Sequence, residues 1–351
     1  MLAWWRHVAP RGSRLRVVCV WLGEELLGIA PLFVEPGPAG LARYRVLGRP
    51  GLLRVEPLAI PGSEGQVALG VAEALATATP PADVISFEAI PDSSPWPQLL
   101  QRKWPGSKRP WLHSDRSGPA PTLLLRDRTF EEWFGGKSRN FRHQMRRAQR
   151  HLTRGGARFE LITAGENLNA GLRAFSRLHH GRWRSRGGSR VLTSPMERML
   201  RDVAETLSGS LRFRLWTLRV DDRVISAHLF AAAGGEVSYW LGGFDERWAR
   251  DHPSMVTILA AAEHAWSVGD ERLDLGGGGH GYKYRFADGE DRLQWTTLIS
   301  PGPRSGRARV ILAPGRVRSA VTQHLPEGTK LRIRATMGKL RSWLRRSVRV
   351  S

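Results

Sequence analysis

Tyr282 and Lys283 follow a run from Gly276 to Gly281 that carries almost no side chain, within LDLGGGGHGYKYRF. A backbone that bare either lets a ligand approach closely or adopts dihedrals closed to other residues. An ammonium there could stabilise a developing oxyanion or a donor phosphate, and a phenol could protonate a departing thiolate or position a nucleophile. Lysine is rare in this chain, six residues against 48 arginines, so Lys283 points to a need for a compact point charge. A surface salt bridge is the rival role for Lys283, and an aromatic plug the rival for Tyr282. Asp245, just after Gly242-Gly243, is a candidate base or amine-binding carboxylate, with helix capping as the alternative. His179 sits on an amphipathic stretch and is either catalytic or a satisfied core histidine. His280 is a plausible base, because its loop exposes it. No Ser-His-Asp order, HExxH motif or phosphate-binding lysine loop is present, and no metal is expected. The single cysteine, Cys19 in RVVCVWL, reads as a buried structural thiol.

These residues need a frame, and the pattern around them supplies one. VSYWLGGF alternates like a strand that Gly242-Gly243 would end, and PSMVTILAAAEHAWSV reads as a helix with proline near its first turn. ERLDL is a short strand leading into the glycine run. Upstream lies the hairpin of residues 211–233, turning at Asp221-Asp222, and it resembles an earlier hairpin, residues 15–34. Setting Glu24-Glu25 against Asp221-Asp222 aligns Leu27 with Val224, Ala30 with Ala227, Leu32 with Leu229 and Phe33 with Phe230. Each hairpin is followed by an apolar helix and a short strand, so the chain reads as two copies of one α/β unit. Only the second copy carries Tyr282-Lys283, and chemistry is expected there. Residues 41–48, 55–60 and 83–89 read as strands and 64–78 as a helix, while 101–121 reads as irregular and basic.

Domain divisions follow: an N-terminal half over 1–125, expected to be short of an opening helix, a C-terminal half over 126–300, and a basic tail over 301–351. The formal net charge is +22, and residues 302–351 hold thirteen basic residues and one acid. KLRIRATMGKLRSWLRRSVRV could be a basic amphipathic helix on an anionic membrane, or a solvated tail. A second basic stretch, KSRNFRHQMRRAQRHLTRGG, places Phe141, Met145, Ala148 and Leu152 on one helical face and seven cations around the rest. It is either a solvated outer face or a surface for phosphates. No run approaches the ~18 apolar residues of a membrane span. The expected location is cytoplasmic, with a peripheral position at the inner membrane face through the tail.

The order and spacing of NFRHQMRRAQRHLTRGG, Leu178-His179 with Arg182-Trp183, GGFDERWA and LDLGGGGHGYKYRF resemble the GNAT acyltransferases of the CelD type, associated with cellulose and exopolysaccharide biosynthesis. These are distantly related to the FemAB aminoacyl transferases. The resemblance covers about residues 15–300. It implies an α/β (α+β) fold, a tandem pair of GNAT-like units with mixed sheets flanked by helices. It also implies an acyl-CoA (acetyl-CoA) co-substrate, with its pyrophosphate at the helix opening on Pro253, Ser254, Met255 and Val256, where free N–H groups attract anions. The implied reaction moves an acyl group to an amine or hydroxyl of a glycan or other small-molecule acceptor from cell-envelope or exopolysaccharide precursors. The site residues it implies are Lys283, Tyr282, Asp245 and His179. Here Arg250 is followed by Asp251, His252, Pro253, Ser254 and Met255, without the two glycines of the usual GNAT signature. Two alternatives therefore stay open. One is a FemAB-like transferase taking aminoacyl-tRNA, and the other a catalytically inactive scaffold that binds anionic surfaces.

Overall fold

The structure, a computed structural model, describes residues 1–48, 54–185 and 187–313, without the side chains of 115–116. The chain divides into two compact units, one built from Met1–Pro119 and the segment from Asp291, the other from Ala120–Glu290. The basic amphipathic segment expected at residues 330–350 lies outside the described residues. Elements are numbered in chain order.

The first unit opens with a short helix α1 (Leu2–His7), then the hairpin β1 (Arg14–Leu22) and β2 (Glu25–Pro36), then β3 (Ala42–Val46) and a two-residue β4 (Leu58–Ala59). Helix α2 (Glu64–Thr77) crosses over to β5 (Val84–Pro91), which lies parallel to β3, and α3 (Trp96–Lys103) follows. The sheet order is β1-β2-β3-β5-β12, where β12 is Gly289–Ile299. The sequence division placed residues 291–299 with the second half; in the structure Leu293–Ile299 pair with β5. Helix α2 buries Val67, Ala68, Val71, Ala72 and Leu75 against one sheet face. Trp4 of α1 packs on Phe33 on the other, with ring centroids 5.3 Å apart.

The second unit runs through β6 (Trp111–Leu124, from its residue 120), α4 (Phe130–Gly136), α5 (Arg139–Arg154), β7 (Arg158–Ile162), α6 (Asn167–Arg184) and α7 (Ser194–Thr206). It continues with β8 (Phe213–Val220), β9 (Arg223–Ala233), β10 (Glu236–Phe244), α8 (Pro253–Ser267), β11 (Arg272–Asp274) and the single turn α9 (Gly281–Tyr284). The sheet order is β6-β11-β10-β9-β8-β7, with β10 and β11 parallel through the α8 crossover. Helix α5 buries Phe141, Met145, Ala148 and Leu152, as its spacing requires. Burying a Phe, a Met and a Leu is worth about 2 kcal/mol each, whereas like-charge neighbours on a helix cost a few tenths each, so burial holds this arginine-rich helix in place.

The two hairpins occupy equivalent places, but one residue away from the alignment drawn on sequence. Both turns are two residues long, Gly23-Glu24 and Asp221-Asp222, and both hairpins skip one residue at a bulge, Leu27 in the first and Ile225 in the second. Structural equivalence therefore sets Gly28 with Ser226, Ala30 with His228 and Leu32 with Phe230. A slip of one residue in a strand sends every side chain to the other face. The corrected register puts both crossover helices on the same face. Val67 of α2 lies over Gly28, where a Cβ would come within 2.6 Å of it, and Thr257 of α8 bonds Ser226 at 3.1 Å.

Two further expectations fail for physical reasons. Residues 111–124 form a strand, although Gly118, Pro119 and Pro121 read as a loop. Prolines lack the donor but keep the carbonyl, and Pro121 O accepts from Leu275 N at 3.0 Å. Cys19 is exposed and not buried, because β1 is the last strand of its sheet and the cysteine faces away from α2. Among the described residues no helix is long and apolar enough to cross a membrane.

Candidate active site

Strand β11 ends at Asp274, whose carboxylate accepts from Gly276 N at 2.8 Å. Gly276 and Gly278 have φ of 79° and 101°, which a side chain would strain. Lys283, on the turn after the loop, is buried and donates from Nζ to Gly276 O and Gly277 O, both at 2.9 Å. Lys137 grips the following segment, with Nζ 2.9 Å from Phe286 O, 3.1 Å from Ala287 O and 3.0 Å from Asp288 Oδ1. Two of the six lysines thus bind backbone carbonyls on either side of Tyr282. A planar guanidinium could not enter so tight a carbonyl nest, which accounts for lysine in an arginine-rich chain.

Burial pulls the Lys283 ammonium down to about 8 from 10.5, with Asp274 acting the other way. Between these values the unfolded chain holds more protons than the folded one, so this group's contribution to stability rises with pH across that window. Lys283→Met is expected to cost about 1–3 kcal/mol, because two buried carbonyls lose their donor. The stability difference between the two proteins should widen from pH 8 to 10, as read from urea midpoints.

Strand β10 pairs with β11 over Glu236–Ser238 only and then continues alone on that side to Phe244. Gly242 and Gly243, expected to end the strand, lie inside it, and each makes room for a neighbour. A Cβ on Gly242 would fall 2.1 Å from His228 Nδ1 and 2.7 Å from Tyr239 Oη. One on Gly243 would fall 2.5 Å from the backbone N of His179, so α6 packs directly on the strand.

The space beside Gly242 holds a polar cluster. His228 is wholly buried on β9, with Nδ1 3.2 Å from Tyr239 Oη. Tyr282, the tyrosine of the glycine loop, lies close enough to Tyr239 for each hydroxyl to affect the other, and Arg182 of α6 acts on all three. Burial raises both tyrosines, Tyr239 far above the usual phenol value, while Arg182 pulls each back. Burial, with Arg182 adding to it, holds His228 down at about 3, so its imidazole is neutral. His228 Nδ1 and Tyr239 Oη share one hydrogen bond, and the tautomer of the neutral ring sets which of them donates. The other ring nitrogen, Nε2, is shut off from solvent and has no partner among the described residues. Such an atom calls for a partner that the described residues do not supply.

The remaining sequence candidates have other duties. Asp245 caps the 3-10 turn Glu246–Asp251, accepting from Arg247 N at 3.2 Å and Arg247 Nη2 at 2.7 Å, with Arg223 Nη2 at 3.0 Å. The Arg247 bond, with Arg223 nearby, holds its carboxyl below the usual range, so it is a poor base and the capping role stands. His179 is buried with both nitrogens engaged: Nδ1 donates to Gly242 O at 3.1 Å and Nε2 accepts from Ser189 Oγ at 2.9 Å. It positions Gly242 and is a satisfied core histidine. His280 stands at the start of α9 without a side-chain capping bond and stacks on Tyr282, with centroids 6.1 Å apart. At α8, Pro253 and Val256 are buried and Ser254 and Met255 half-buried. Met255 N and Val256 N both turn back to His252 O, at 3.0 and 3.2 Å, leaving Ser254 N–H as the outward donor. Gln144 of α5 bonds the His252 ring at 2.6 Å, and Arg285 reaches Met255 Sδ at 3.8 Å. One N–H, the helix dipole and a neighbouring guanidinium fit an anion.

His228 and Tyr239 escaped sequence reasoning. The one available signal was a histidine in the otherwise apolar ISAHLFAAA, and its meaning depends on lying opposite Gly242 in the sheet.

Residues 139–284 match the family model described as an acetyltransferase (GNAT) domain. No curated protein matches the chain. Among solved structures, FemX superposes with a TM-score of 0.62 at 12% identity, covering 86% of this chain and 90% of that one. The C-terminal domain of a putative lysylphosphatidylglycerol synthetase from Agrobacterium fabrum gives 0.56 at 13% identity, covering 86% and 88%. L-PGS from Bacillus licheniformis gives 0.52 at 14%, covering 81% and 85%. At these identities the likeness is one of fold. The fold is mixed α/β, two similar units of mixed sheet flanked by helices, and over residues 139–284 the chain is similar to an acetyltransferase (GNAT) domain.

Proposed function

We propose that the protein is an N-acyltransferase that moves an acyl group, acetyl in the simplest case, from acyl-CoA to an amine or hydroxyl of a cell-envelope or exopolysaccharide precursor. The observation that carries this reading is the buried neutral His228, whose Nε2 has no partner among the described residues, beside Tyr239, Tyr282 and Arg182. With the ring proton on Nδ1, Nε2 would offer a lone pair to the N–H or O–H of an acceptor once the cluster opens to admit it. Arg182 and the Tyr282 hydroxyl suit the negative charge of a tetrahedral intermediate, and Tyr282 can pass a proton to the departing thiolate. The first unit has Ala30 and Val46 where the second has His228 and Tyr239, so the chemistry belongs to the second. Acyl-CoA would set its pyrophosphate at Ser254 beside Arg285. Lys283 acts here by holding the loop that carries Tyr282.

The second reading is aminoacyl transfer from aminoacyl-tRNA. It is favoured by the single outward N–H at α8 and by the fold shared with FemX and a putative lysylphosphatidylglycerol synthetase. Titrating acetyl-CoA and aminoacyl-tRNA separately against the protein distinguishes the two. Saturable acetyl-CoA binding that Ser254→Pro weakens supports the first reading, and binding of aminoacyl-tRNA alone overturns it. The part of the tail after residue 313, outside the described residues, is proposed to hold the enzyme against an anionic membrane surface.

His228 also predicts a pH effect on stability. Its folded value of about 3 lies below the ordinary 6.5, so the unfolded chain takes up the extra proton in between. Stability is therefore full above pH 6.5 and falls as the pH drops towards 3. His228→Phe should flatten that slope, as measured by denaturant midpoints from pH 7 to 4.

A further inference from the structure

The outer face and edge of β1 stand out once the two units are compared in the corrected register. On β1, Leu15 is 43% exposed, Val17 45% and Trp21 57%, and Cys19 between them is also exposed. Their counterparts on β8 for the first three positions of that row are Phe213, Leu215 and Thr217, which are 2%, 0% and 0% exposed. The second unit buries that row under α6, where a Cβ on Gly171 would sit 3.0 Å from Leu215, and pairs the strand's edge with β7. In the first unit, among the described residues, no strand pairs with the outer edge of β1. The edge is nine residues long and carries neither lysine nor proline, two of the devices that discourage strand addition.

We infer that this face is a homodimer interface in which β1 pairs antiparallel with β1 of a second copy about a two-fold axis near Val18. The strand is complementary to itself in two respects. In that register Leu15 lies opposite Trp21 of the second copy and Val17 opposite Cys19. Odd residues meet odd residues, and the two exposed rows join into one apolar face. The charges also match: Arg11 and Arg14 lie at one end of the strand and Glu24 and Glu25 at the other, all exposed. An antiparallel partner brings each basic end beside the other's acidic turn. A membrane surface of anionic lipid would be repelled by that acidic end, and a parallel partner would set like charges together.

The cysteine allows a direct test, since the chain has only one. In the paired register the two Cys19 residues sit diagonally across the strands on the same face, at about 7–8 Å. Full-length protein at tens of micromolar, in salt high enough to screen its net charge, is expected to run as a dimer by light scattering. A short bis-maleimide should link it through Cys19. Val17→Lys places two lysines in each interface and should raise the dimer dissociation constant more than about tenfold while leaving the far-UV spectrum unchanged. Leu15→Lys should do the same from a different place in the row, and Cys19→Ser should abolish the cross-link without changing the mass in solution. A monomer at every concentration overturns the inference, as does a dimer unaffected by both lysine variants.

Discussion

Gly243→Ala is expected to destabilise the second unit by about 3 kcal/mol or more. The new Cβ would lie 2.5 Å from His179 N, 2.6 Å from Leu178 C and 2.8 Å from His179 Cα. All three are backbone atoms inside α6, so no side chain can swing away. Relief requires the helix to lift from β10, which breaks the His179 bond to Gly242 O and uncovers Leu178 and Phe175. Gly181→Ala is the control. It lies in the same helix with nothing within 4 Å of its Cβ, and alanine there should stabilise by about 0.5–1 kcal/mol. Urea midpoints of the two variants should move in opposite directions. Equal shifts would show that helix propensity, and not the close approach at Gly243, governs this packing.

Tyr282→Phe is expected to lower kcat of acyl transfer by about a hundredfold, or roughly 3 kcal/mol, with KM for the donor little changed. The hydroxyl is the only part removed, and the ring keeps its packing between the loop and β10. If Tyr282 serves only as an aromatic plug, the change should leave kcat within about twofold and cost less than about 1.5 kcal/mol of stability, the ordinary worth of one hydrogen bond. Lys283→Met gives the contrast: its primary loss is of stability, and its turnover should recover at low temperature, where the loop stays closed. Parallel melting curves and initial rates for the two variants separate chemistry from loop support.

Much of the frame was legible in the chain. The helical period of Phe141, Met145, Ala148 and Leu152 predicted the buried face of α5, because a solvated helix has one apolar stripe and the period identifies it. The repeat of the hairpin was legible too, but its register was not. Strands β2 and β9 are central and buried on both faces, so Ala, Leu and Phe occur in both rows and no alternation marks which row faces the helix. Only the turn length and the bulge settle that, and they moved the equivalence by one residue.

Sequence by itself determined which residue types stand in the glycine loop, that Tyr282-Lys283 occur in the second copy and not in the first, and that the rare lysine at 283 answers a particular need. What that need is, the tertiary structure decided: Gly276 O and Gly277 O lie where only folding of the loop could bring them. It likewise turned Asp245 into a cap, closed both nitrogens of His179, and gathered Arg182, His228, Tyr239 and Tyr282 from α6, β9, β10 and α9. The reason is physical. Local pattern records which face of an element is apolar, since burial acts on every residue of that face. A polar cluster is made by a few side chains whose meeting depends on strand register and on the absence of a Cβ at Gly242, and neither leaves a periodic trace in the chain.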